Sequence, residues 1–125
     1  MILHLIGSAT WSAVRGNTTY SPASLATEGF VHCTGDGDTL LVVANSFYRD
    51  APGDHVALEI DEDALTSQVR WEAPAHPDGR MATADEPRFP HVYGPIDVSA
   101  VRRMLPMLRS GDGTFTGYDD PMPPS

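Results

Sequence analysis

Three of the five histidines, His4, His32 and His91, lie inside apolar, strand-like segments, whereas His55 and His76 stand at or near loops and read as surface residues. A single strand histidine usually belongs to a core, with a ring nitrogen tied to a backbone carbonyl. Three of them change the balance, because each buried imidazole needs partners for both nitrogens or loses solvation worth about 1–3 kcal/mol. A shared polar cleft meets that need, and it offers imidazoles for acid–base work and for holding hydroxyl or phosphate oxygens. Glu72, beside Trp71, joins them as the candidate carboxylate, able to orient a hydroxyl or act as a base. Its ordinary alternative is a solvated strand residue paired with an arginine.

Other side chains fit a ligand role. Phe30 and His32 share a strand face, as do Phe89, His91 and Tyr93, and an aromatic ring beside ring N–H donors suits a flat polar ligand. Ser24 and Thr34 add hydroxyls to the same segments, so Ser24, Phe30, Thr34 and Tyr93 are the ligand-binding candidates. Glu28 sits at the end of a short helix, where its charge opposes the macrodipole, which points to a specific hydrogen bond. Ser24 lacks the G-x-S-x-G setting of a hydrolase nucleophile. Cys33 points away from His32 on a regular strand and reads as core.

The elements that must position these groups are legible from periodicity. Residues 2–6 form an apolar strand interrupted only by His4. A short helix carries Trp11 and Val14, and a second begins at Ser21-Pro22 and stops at Gly29. Phe30–Thr34 is a strand. Leu40, Val43, Ala44 and Phe47 then recur at helical spacing and predict a helix packed by that stripe. Val56, Leu58 and Ile60 alternate as a strand, and Val69 and Trp71 mark another. Residues 73–88, with three prolines, predict a long exposed loop. Phe89–Pro95 is extended, with Pro90 favouring an edge or a bulge. Asp97 and Ser99 predict a helix through Arg103, followed by a last strand over residues 104–109. The expected organisation is one globular domain over residues 1–110 and a flexible tail over 111–125.

Composition narrows the function. At 125 residues, with 41% hydrophobic and 20% charged, the chain fits one α+β domain of two small, mostly antiparallel sheets and short helices. Eleven Gly and eleven Pro favour such short elements. The eight basic residues are all Arg, which excludes Schiff-base chemistry and a Walker-A loop. A net charge of −9 weighs against nucleic acid as a partner. One cysteine excludes an intrachain disulfide, and no apolar run approaches the roughly 18 residues of a membrane span. With no basic leader after Met1, the reading is a cytoplasmic protein without a membrane partner.

The segments Ile2–Ile6, Trp11 with Ala13, Tyr20-Ser21 with Ser24-Leu25, Glu28–Thr34 and Phe89–Pro95 resemble, in order, the family called domain of unknown function 952, over roughly residues 2–110. The EGFVHCT and FPHVYGP stretches carry the resemblance together. It implies a fold similar to ADP-ribosyltransferases and RNA 2′-phosphotransferases, in which a cleft between two small sheets holds NAD or an ADP-ribosylated intermediate. By position, His4 resembles the first-strand histidine that contacts a ribose hydroxyl, and the His32–Thr34 strand resembles the one lining the nicotinamide region. His91-Val92-Tyr93 stands where a glutamate is often found, with Glu72 as a substitute acid. The resemblance thus implies a small-molecule nucleotide partner, with NAD as substrate rather than resident cofactor, and ADP-ribosyl or phosphoryl transfer. Two alternatives stay open. One is a non-catalytic ligand-binding or interaction module; the other is a metal site of His4, His32 and His91 with an open position for water.

Overall fold

Alternation in Ile2–Gly7 (β1) and His55–Ile60 (β4) produces two strands that pair antiparallel along their whole length, with His4 opposite Leu58. The computed structural model describes residues 1–73 and 88–124. β4 also pairs with Val101–Arg109 (β8), which pairs with Phe115–Tyr118 (β9), giving a four-stranded sheet of order β1-β4-β8-β9. A second sheet joins Val31–His32 (β3), Phe89–Tyr93 (β6) and Gln68–Glu72 (β5) in the order β3-β6-β5. Thr19–Tyr20 (β2) and Ile96–Asp97 (β7) form a small ribbon. The architecture is α+β, as expected, with a third small sheet beside the two main ones.

Three helices fall where the spacing predicts them: Ser8–Val14 (α1), Ala23–Glu28 (α2) and Gly37–Phe47 (α3). Asp36 caps α3 by accepting from the Thr39 amide at 2.7 Å. Gly29, at φ 86°, ends α2 in the left-handed conformation that a side chain would oppose. The main core lies between the sheets, from Ile2, Ile6, Val31, Val56, Leu58, Ile60, Val92 and Ile96, with Trp11 beneath α1. Cys33 belongs to it, as expected, and burial pushes its thiol up to about 12.

Four expectations are corrected. The helix over Asp97–Arg103 is a single 3-10 turn, Val98–Ala100, followed at once by β8. Ala100 and Val101 enter the core, and Arg103 faces Glu59 across the ladder with a bidentate ion pair at 2.7 and 3.1 Å, a pairing only a strand allows. Pro90 is in the central strand of its sheet rather than at an edge. Its carbonyl accepts from the Cys33 amide at 3.2 Å where the two-residue β3 ends, so its missing N–H falls at the end of a ladder. His55 is half-buried, its ring set edge-on to Phe115. The long loop over residues 73–88, with His76, lies almost wholly outside the described residues.

The fourth correction concerns the tail. Beyond Gly111 the chain belongs to the fold: β9 completes the first sheet, Phe115 is 2% exposed, and Met122 bridges Met104. Asn45 of α3 brackets the Phe115 backbone, its Nδ2 donating to the carbonyl at 3.0 Å while its Oδ1 accepts from the amide at 2.7 Å. Tyr118 donates to the Gly37 carbonyl at 2.7 Å, so β9 holds α3 at both ends of the contact. The Arg109 guanidinium covers the Phe115 ring at 4.4 Å and donates to the carbonyls of Tyr48 and Arg49 just past α3. Phe115→Ala should therefore destabilise the protein by about 3–5 kcal/mol, as for a buried aromatic. Urea denaturation measures this; an unchanged midpoint, as a free tail would give, contradicts the assignment.

Candidate functional site

The site begins where two strands diverge. Leu3 and Thr34 exchange both backbone hydrogen bonds at 2.8 Å, a single antiparallel bridge between β1 and the residues following β3. A continued ladder would next join Leu5 to His32, delivering the His32 carbonyl to the Leu5 amide. Instead the His4 ring takes that carbonyl, with Nδ1–H donating to it at 2.8 Å. The imidazole thus sits at the fork between the two main sheets.

That bond fixes the tautomer. With the proton on Nδ1, the Nε2 of neutral His4 is an acceptor only. Nε2 is buried and has no hydrogen-bond partner among the described residues. Burial holds the His4 pKa below its ordinary value, the leading cause being loss of solvation for the charged ring. Tyr20 stands beside it, ring centroids 5.8 Å apart.

His32 and His91 face each other by register. Val31 opposes Val92 and His32 opposes His91, and the Cys33 to Pro90 bond makes His32–His91 the non-hydrogen-bonded pair, in which side chains approach most closely. Their rings meet edge to face at 5.7 Å. Each is tied to a carboxylate. His32 Nε2 lies 2.8 Å from Glu28 Oε2, across the stop at Gly29, which is the specific contact expected of Glu28. His91 Nδ1 lies 3.0 Å from Glu72 Oε1, which also accepts from the Tyr93 hydroxyl at 2.5 Å. These two donors, Tyr93 first, hold the Glu72 carboxyl below its ordinary value, while donating that bond raises Tyr93. Glu72 is half-buried and His91 buried, so this pair is the more sheltered of the two.

A cavity of about 880 Å³ collects most of these groups. His4, His32, His91, Ser24 and Thr34 line it, as do Glu28 and Tyr20. Phe30, Glu72 and Tyr93 do not. Phe30 stacks on His91 at 4.2 Å, and Tyr93 holds Glu72 from behind with Arg70 over its ring at 4.7 Å. They fix the orientation of His91 rather than facing the space. Sequence reasoning missed the opposite wall, where Val43, Ser46 and Phe47 of α3 face the cavity. A stripe of four apolar residues on an eleven-residue helix reads as core, and nothing in it marks the half that faces a cavity.

The three-histidine metal arrangement is not formed. Among the described residues, no group of three His, Cys, Asp or Glu side chains is placed to hold a metal ion. Each imidazole already commits one nitrogen, to the His32 carbonyl, Glu28 or Glu72. No helix among the described residues is long and apolar enough to cross a membrane.

A family model described as "Protein of unknown function (DUF952)" matches residues 5–104. No curated protein matches the chain. It is similar to the crystal structure of protein CC0527 from Caulobacter crescentus, at 25% identity and TM-score 0.71 over 92% of both chains. It is likewise similar to the solution NMR structure of CC0527, at 26% identity and TM-score 0.66, covering 90% of this chain and 88% of that one.

The buried His4 makes a pH prediction. Above its ordinary value of 6.5 the ring is neutral in folded and unfolded chains, and full stability is present. Below it the unfolded ring takes up a proton that the folded ring resists, so stability falls as pH drops from 6.5 towards the lowered folded value. His4→Asn, whose amide can still donate to the His32 carbonyl, should flatten this slope in urea denaturation at stepped pH. Equal slopes for both proteins would show that His4 is not held neutral.

Proposed function

The chain belongs to the DUF952 family, and for this member we propose that the cleft binds a ribose-bearing nucleotide, NAD or a close relative, and transfers its ADP-ribosyl group. One observation carries the reading: His4 lines the cavity, and its buried Nε2 has no hydrogen-bond partner among the described residues. An acceptor in that state costs about 1–3 kcal/mol until a donor meets it, and a ribose hydroxyl is such a donor.

The paired histidines supply the proton chemistry. In the transfer, the C1′–N glycosidic bond breaks and its electron pair leaves on nicotinamide. The acceptor oxygen bonds to C1′, and its proton passes to Nε2 of His91. Glu72, on the opposite ring nitrogen, stabilises the resulting imidazolium, and Tyr93 keeps Glu72 ionised. His32 and Glu28 stand on the other side as the second carboxylate–imidazole pair.

A second reading, a binding module without catalysis, is favoured by a specific feature: Glu72 does not face the cavity, so among the described residues no sheltered carboxylate stands beside the ribose to stabilise an oxocarbenium ion. The two readings separate experimentally. Under both, NAD, ADP-ribose or nicotinamide mononucleotide raises the melting temperature, the stabilisation reaching about 2.7 kcal/mol at a hundredfold excess over Kd, and His4→Ala abolishes the shift. Under the first alone, the protein also releases nicotinamide from NAD, and His91→Gln slows release by about 10²-fold or more. No shift with any of the three nucleotides overturns the nucleotide reading.

A further inference from the structure

The wall that α3 turns to the cavity is more apolar than a ribosyl group requires. Leu40 and Ala44 are buried as the stripe predicts, but Phe47 is 57% exposed, and Val42 of the same helix is 66% exposed. Leu40, Val42, Val43 and Phe47 all line the same cavity as the three histidines. Leu5 faces it from β1, beyond the fork at His4. The space therefore has imidazoles and hydroxyls on its walls from β1, α2, β3 and β6 and a mainly apolar wall from α3, where Thr39 and Ser46 are the polar members.

Charge separates these walls further. Among the described residues no arginine lines the cavity, and Glu28 adds negative charge on the histidine walls. Arg70 lies over Tyr93 and bonds Gln68, while Arg102 bonds Asp61 and the Ser99 carbonyl. A phosphate lying along α3 would lose water without gaining a cation. An uncharged apolar group there would cover Val42 and Phe47 and gain their burial.

We infer that the ligand is an amphiphile, with a ribosyl group at the histidines joined to an uncharged alkyl or aryl arm lying along α3. The inference rests on the ribose reading of the histidine walls. NAD and its fragments bind there and lack the arm, so they bind as partial ligands. The cavity, at about 880 Å³, falls within the range of sites that enclose a whole small molecule and has room for both portions.

Calorimetric titration with methyl, butyl and hexyl β-D-ribofuranoside, and with 1-hexanol as an arm without ribose, tests it. The expected result is a Kd that falls about threefold per added methylene. Phe47→Ser and Val42→Ser change exposed residues, so both should retain the parent melting temperature. Each should weaken hexyl riboside by about fivefold while leaving methyl riboside unchanged. A hexyl riboside no tighter than the methyl compound, or a chain-length gain untouched by both substitutions, overturns the inference while leaving the ribose reading in place. If hexanol binds as tightly as hexyl riboside and both substitutions weaken it, the apolar arm stands and the ribose reading fails.

Discussion

The bond from His4 Nδ1 to the His32 carbonyl is the constraint on which the site depends. It replaces a ladder bond that Leu5 would otherwise make, so two sheets that begin to join at Leu3 and Thr34 diverge immediately beyond that bridge. A hydrocarbon side chain at position 4 could fill the volume but could not hold that carbonyl. The same bond consigns the proton to Nδ1 and leaves Nε2 an acceptor with no partner among the described residues. One interaction thus marks the fork of the sheets and sets the chemistry of the ring placed there.

The rest of the cleft follows from strand register and charge. Short β3 places His32 opposite His91 in the close, non-hydrogen-bonded position, and two glutamates from different elements take one nitrogen of each ring. The rings of His4, His32 and His91 are thereby each oriented through one nitrogen. The protein is strongly acidic overall, yet the cavity is lined mainly by neutral groups, with Glu28 its carboxylate among the described residues. Such a surface offers donors and acceptors for hydroxyls and amides at the histidines and apolar area along α3.

Much of the frame is written in local patterns. His4 interrupting an apolar strand, the EGFVHCT and FPHVYGP segments, and Gly29 after Glu28 each specify their own element, and the three histidines do share one cavity. What local patterns omit is pairing. Asp97 and Ser99 look like helix caps, but the Arg103–Glu59 ion pair and burial of Val101 favour a strand, and both depend on residues some forty positions away. The proline-rich C-terminal stretch looks disordered because its partner, Asn45, is seventy positions earlier. Glu72 stands out as a carboxylate beside Trp71, but its place behind His91 rather than in the cavity comes from the β5–β6 register. The stripe on α3 gives no sign that Phe47 faces open space.

The ¹⁵N chemical shifts of the His4 ring, measured at neutral pH with and without ADP-ribose, address the centre of the account directly. The predicted spectrum has a protonated Nδ1 and an unprotonated Nε2, the minor tautomer of free histidine, with Nε2 moving to the shift of a hydrogen-bonded acceptor when the ligand is added. A proton on Nε2, or an Nε2 signal indifferent to ligand, would contradict it.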